Sequence, residues 1–132
     1  MANKLFKGDV KCYESGVIKL YGNFTTSTSG TISAQSCKGF SVAKTGSETG
    51  RYTVTLDDTY TALLGVGVNV VGSSDAAYTS TKGLINYLRN VSVADSTPTF
   101  DIQFVQVSIA DAELLDAAKV YIEITLKNST AF

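Results

Sequence analysis

Histidine and tryptophan are absent from this 132-residue chain, and proline and methionine occur once each. Without histidine there is no imidazole to act as general base, to orient a nucleophile or to ligate a metal, and most hydrolase designs go with it. No catalytic, cofactor-binding or metal site is expected, and the chain reads as a non-enzyme. Cysteine is scarce too. Cys12 and Cys37 cannot complete an ordinary zinc site between them. As a disulfide they would close a loop of about 25 residues and contribute roughly 3–4 kcal/mol; as free thiols they are small apolar residues in or near strands. The lack of an export signal favours free thiols.

Charge is also thin, at 17% of residues with a formal net of -1, against a usual share of about 25%. Such a chain has no long-range attraction for phosphate, and Lys4, Lys7 and Lys11 are too sparse for a basic patch, so no nucleic-acid partner is expected. No apolar run approaches the roughly 20 residues of a membrane span. MANKLFKGDVK lacks the apolar middle of a signal peptide. The expectation is a chain with no membrane partner, made and kept in a cytoplasm or incorporated into a particle assembled there.

Serine, threonine and glycine take the place of charge. Hydroxyl-rich, weakly charged sequence suits strands and tightly packed interfaces. The most definite stretch is Gly50 to Gly72, GRYTVTLDDTYTALLGVGVNVVG. Tyr52, Val54 and Leu56 alternate with Thr53, Thr55 and Asp57, as on a half-buried strand. Asp57 and Asp58 then read as caps of a helical turn over Thr59 to Leu64, with Tyr60, Leu63 and Leu64 at helical spacing and Gly65 ending it. Val66, Val68 and Val70 resume the alternation.

Around this unit, residues 1–16 read as an extended arm and 17–132 as a single β-domain. Val17 to Phe24 is strand-like, with Gly22 marking a bulge or a close approach. TTSTSG is a turn in which Gly30 takes a positive φ. Thr31 to Ser36 and Gly39 to Lys44 follow as short strands. SSDAAYTSTKG is the longest loop-like segment. Leu84 to Ala94 fits both a helical stripe and an alternation; a strand over Tyr87 to Ala94, preceded by a turn or helical start, is preferred. Pro98 separates elements. In Thr99 to Ile109 the apolar phase switches between Phe104 and Val105, which implies burial on both faces or a bulge. Ala110 to Ala118 forms a corner or short helix, and Lys119 to Lys127 alternates most cleanly of all. The sum is an all-β chain: an antiparallel sandwich or barrel of about 7–8 strands with short helical corners and an extended N-terminal arm.

Polar candidates each have a plainer explanation. Asp57 and Asp58 suit capping better than cation binding or glycosidase chemistry. Asp111, Glu113 and Asp116 match no calcium-loop spacing. Tyr13, Tyr21, Tyr78 and Tyr121 are the tyrosines to consider for stacking on sugars or bases, against a role as core filling. Asn23-Phe24-Thr25, Asn90-Val91-Ser92 and Asn128-Ser129-Thr130 match the glycosylation acceptor pattern by composition alone without export. GVGVNVVG is no phosphate loop, since no helix follows it.

TVTLDDTYTALLGVGVNVV, with VYIEITLKNSTAF far downstream, resembles small virion structural proteins of tailed bacteriophages, in particular capsid decoration or cement proteins. That resemblance implies a β-rich domain with an arm, commonly trimeric, bound to the major capsid protein on the capsid exterior and stabilising the head after assembly in the host cytoplasm. Segments of low core potential are the candidate capsid or subunit contacts: Lys4, Leu5, Phe6, Lys7, Val10 and Tyr13 in the arm, and Asp75, Tyr78 and Lys82 in the loop. The alternatives are a phage tail or head-completion component and, from a different class, a glycan-binding β-sandwich module.

Overall fold

The computed structural model describes residues 16–46, 48–72, 84–106 and 118–127. Among them are eight strands: β1 (Val17–Thr26), β2 (Ile32–Cys37), β3 (Phe40–Lys44), β4 (Arg51–Leu56), β5 (Ala62–Val71), β6 (Leu84–Ser92), β7 (Thr99–Gln106) and β8 (Lys119–Lys127). They form two antiparallel sheets of four, ordered β2-β1-β8-β5 and β3-β4-β7-β6. The chain is all-β, as its alternation predicts. No described helix is long and apolar enough to cross a membrane.

The core lies between the sheets. Phe24, Val120, Ile122, Ile124 and Leu126 face it from one side, and Phe40, Val42, Tyr52, Val54, Leu56, Phe100, Ile102 and Phe104 from the other. β8 is central because every second residue is apolar, and Tyr121, Glu123 and Thr125 then fall on the outer face. Tyr52 carries a hydroxyl into this layer. Its hydroxyl donates to the Gly30 carbonyl at 2.5 Å, and its ring lies 5.1 Å from Phe24 and 5.9 Å, edge-on, from Phe104. A buried phenol needs such a partner.

The two long sides of the sandwich differ. Where β2 meets β3, the Gln35 side-chain amide bridges the sheets, donating to Val42 O at 2.9 Å and accepting from Val42 N–H at 3.0 Å. On the other side the edge strands β5 and β6 leave a cavity of about 270 Å³ among Val68, Val70, Leu84 and Phe104.

Five sequence expectations change. Thr59 to Leu64 is not helical. Tyr60 N–H bonds to Val93 O and Thr61 N–H to Lys127 O, and Leu63 pairs with Leu126 in the ladder, so pairing with β8 overrides local helical spacing. Gly65 sits at a register shift inside β5 instead of ending a helix. Asp57 and Asp58 therefore cap nothing and stand exposed in a bend. The helical corners reduce, among the described residues, to one 3-10 turn at Thr28–Gly30, where Ser29 and Gly30 both take positive φ. β6 begins at Leu84, three residues before the expected start, because Leu84, Ile85 and Asn86 pair with Gln106, Val105 and Phe104.

The two open alternatives resolve. The Phe104–Val105 phase switch is burial on both faces, since register runs unbroken through it and Phe100 to Val105 are all buried. Gly22 is a close approach. A Cβ there would sit 2.6 Å from Phe40 Cζ, 2.8 Å from Cys37 Sγ and 2.9 Å from Cys37 Cα.

Candidate functional site

Side chains on the outer face of the β2-β1-β8-β5 sheet converge on an open cavity of about 380 Å³. Register builds it. Tyr21 stands opposite Glu123, which faces Gly67 on its other side; Asn23 stands opposite Tyr121, which faces Asn69. Ser36 extends the second row and Lys38 borders the first. Tyr21 and Tyr121 are thus diagonal neighbours on adjacent strands, a spacing across which aromatic rings can share one surface. They are 58% and 44% exposed, unusually open for such large rings. Lys119 Nζ lies 5.7 Å from the Tyr121 ring centroid, and Lys19 Nζ lies 3.8 Å from Glu123 Oε2. These contacts engage Tyr121 and Glu123, two of the side chains that line the cavity.

Gly67 lies on its β5 margin. It has no positive φ, so the backbone does not require glycine. Nor does packing: a Cβ there would only reach ordinary contact with Glu123 at 4.0 Å. Glycine inside a strand weakens it and often marks a bulge or a close approach by a ligand or another chain; Gly65 is at a register shift, whereas register is unbroken around Gly67.

The outer face of the other sheet is built differently. Asp101 and Gln103 point away from the core yet are 8% and 0% exposed. Thr53 Oγ1 donates to Asp101 Oδ1 at 2.8 Å and Asn90 Nδ2 to Asp101 Oδ2 at 2.9 Å. Arg51 Nε donates to Gln103 Oε1 at 3.0 Å, and Gln103 Nε2 donates to Thr49 O at 2.9 Å. These groups satisfy one another, so this layer is structural. Of the seven exposed large apolar residues among the described ones, Ile85, Tyr87 and Val91 lie on this sheet's edge strand β6, and Leu64 and Val71 on β5, the edge strand of the β2-β1-β8-β5 sheet.

The sequence-derived candidates scatter. Lys4, Leu5, Phe6, Lys7, Val10, Tyr13, Asp75, Tyr78 and Lys82 lie outside the described residues, as do Cys12, Asp111, Glu113, Asp116 and Asn128. Tyr21 and Tyr121 are the two candidate tyrosines brought together. Asn23 and Asn90 sit within strands, and Asn90 takes φ 51° with its amide committed to Asp101. Cys37 is a free thiol that donates to Asn23 O at 3.7 Å; burial pushes its pKa up, partly offset by the Asn23 backbone. Burial, with the nearby charges of Asp58 and Asp57, likewise raises Tyr60. Among the described residues no group of three or more acidic or thiol side chains could hold a metal. Asn69, Glu123 and Gly67 carried no sequence signal alone. Their outward phase on strands that flank the two tyrosines is the only clue, and it needs the strand order.

No protein-family model matches the chain, and no curated protein or solved structure matches it.

Proposed function

We propose that this chain is a structural virion protein of the capsid-decoration kind, binding the major capsid protein on the head exterior as a homo-oligomer, with a trimer favoured. The observation that supports this reading is the set of exposed apolar side chains on the β6 edge strand, where Ile85, Tyr87 and Val91 are 54%, 46% and 49% exposed. Aromatic and aliphatic side chains of this sort form the desolvated centre of protein interfaces. A decoration protein would use them to bury roughly 800 Å² per contact at capsomer junctions. Contacts available only in the assembled shell stabilise that shell by linkage, and oligomerisation multiplies weak contacts through avidity. The resemblance noted in the sequence agrees with this reading, as does its low charge. A tail or head-completion subunit would use the same side chains on a different particle.

The test is co-sedimentation of the purified chain with head shells assembled from the capsid protein encoded in the same genome. Saturable binding at fixed stoichiometry, lost in Ile85→Asp and Tyr87→Glu, is the expected result. Those side chains are exposed, so the variants should fold. A chain that stays in the supernatant at every concentration would sink the proposal, and co-sedimentation with tails alone would transfer it to the tail.

A further inference from the structure

We infer that the outer face of the β2-β1-β8-β5 sheet is a binding cleft for a neutral oligosaccharide, framed by Tyr21 and Tyr121 and floored beside Gly67. The inference is independent of the exposed apolar residues of β6, and would hold on any particle or none.

The ligand class follows from the side chains that meet there. Pyranose rings present alternating C–H faces and equatorial hydroxyls. Two open tyrosine rings supply amphipathic surfaces for the former at little entropic cost. Asn23 and Asn69 each offer a donor and an acceptor, and Glu123 offers two acceptor oxygens, a set that suits adjacent hydroxyls able to give and take hydrogen bonds. A nucleic acid fits poorly, because Lys38 is the single cation lining the cavity and is offset by Glu123, which also occupies Lys19. An added peptide strand fits poorly as well. Its recognition needs the unpaired backbone of a sheet edge, whereas this cavity lies on a face whose central strands β1 and β8 are paired on both sides.

Gly67 carries the argument furthest. It weakens an edge strand without relieving any backbone strain or crowding. What it does provide is bare backbone next to Glu123. A sugar lying along β5 could approach the carboxylate and the Tyr121 ring together only if no side chain rose there. Valine at this position would be preferred by the strand and would fill that space.

The experiment uses the full chain on an array of neutral and acidic oligosaccharides. Hits are followed by titration of the tyrosine emission, which no tryptophan obscures, and by amide shift mapping. A neutral glycan is expected to bind, with perturbations centred on Tyr21, Asn69, Tyr121 and Glu123. Tyr121→Ala should weaken it about tenfold or more. Gly67→Val should abolish binding while the thermal midpoint holds or rises, an outcome that separates a blocked cleft from a damaged fold. No binding across the array, binding to acidic glycans alone, perturbations elsewhere, or full affinity in Gly67→Val would each overturn the assignment.

Discussion

The side-chain amide of Gln35 pairs with the backbone of Val42 in both directions, at 2.9 and 3.0 Å, and so does for the β3 edge what a neighbouring strand would do. An unpaired edge is a template for unwanted pairing, and covering it closes that route. Here one carboxamide, reaching across from the opposite sheet, seals the side where β2 turns into β3. The cavity of about 270 Å³ lies on the other side, between β5 and β6.

Replacing Gln35 with alanine should therefore cost about 1–2 kcal/mol, since two hydrogen bonds are lost and Val42 is left to water. The sharper readout is local. The Val42 amide should exchange its hydrogen much faster in Gln35→Ala, and should remain protected in Gln35→Glu, which keeps the acceptor but not the donor. Equal Val42 exchange in wild type and Gln35→Ala would show that the clip is not formed in solution.

Gly22 makes a stricter demand. Its inward position faces both a ring and a main-chain atom of the neighbouring elements, Phe40 Cζ at 2.6 Å and Cys37 Cα at 2.9 Å. Gly22→Ala should destabilise by about 1–3 kcal/mol, the usual cost of overpacking. Adding Phe40→Leu should recover only part of this. The shorter side chain withdraws the ring, but the β2 backbone stays where pairing with β1 holds it. Denaturant midpoints of the two variants check both statements, and full recovery in the double variant would locate the clash in the ring alone.

Legibility in the sequence followed the distance over which each feature is decided. β8 was readable to the residue because Val120, Ile122, Ile124 and Leu126 alternate without interruption, and a period of two needs no information from elsewhere. The Thr59 to Leu64 segment misled for the opposite reason. Its apolar spacing suits a helix locally, while the bonds from Tyr60 to Val93 and from Thr61 to Lys127 that make it extended join positions far apart in the chain. The burial of Asp101 and Gln103 was hidden similarly, since their partners Thr53, Asn90, Arg51 and Thr49 lie on other strands or turns. Of the candidate cleft, Tyr21 and Tyr121 could be picked as aromatic residues in outward phase. That Asn69 and Gly67 complete it depends on β5 lying beside β8, which alternation does not reveal.

The Cys37 thiol gives a pH dependence whose sign is fixed by its surroundings. Burial disfavours the thiolate, and although the Asn23 backbone opposes this, the folded pKa stands above the ordinary value. A folded state that holds its proton more tightly than the unfolded chain gains stability from it, fully present below the unfolded pKa of about 8.5 and lost as pH rises through the folded value. Tyr60 follows the same rule in a later window, because its ordinary value lies near 10 and burial with Asp58 and Asp57 raises it further. In a Cys12→Ser background, stability should be flat from neutral pH to about pH 8 and should then fall as pH rises. Cys37→Ala should remove the earlier part of that fall and Tyr60→Phe the later part. Chemical denaturation at closely spaced pH values would resolve the two. A Cys37→Ala profile that still declined between about pH 8.5 and 10 would mean the thiol is as accessible to solvent when folded as when unfolded. Alkylation at neutral pH provides an independent check, with Cys37 expected to react more slowly in the native protein than in urea.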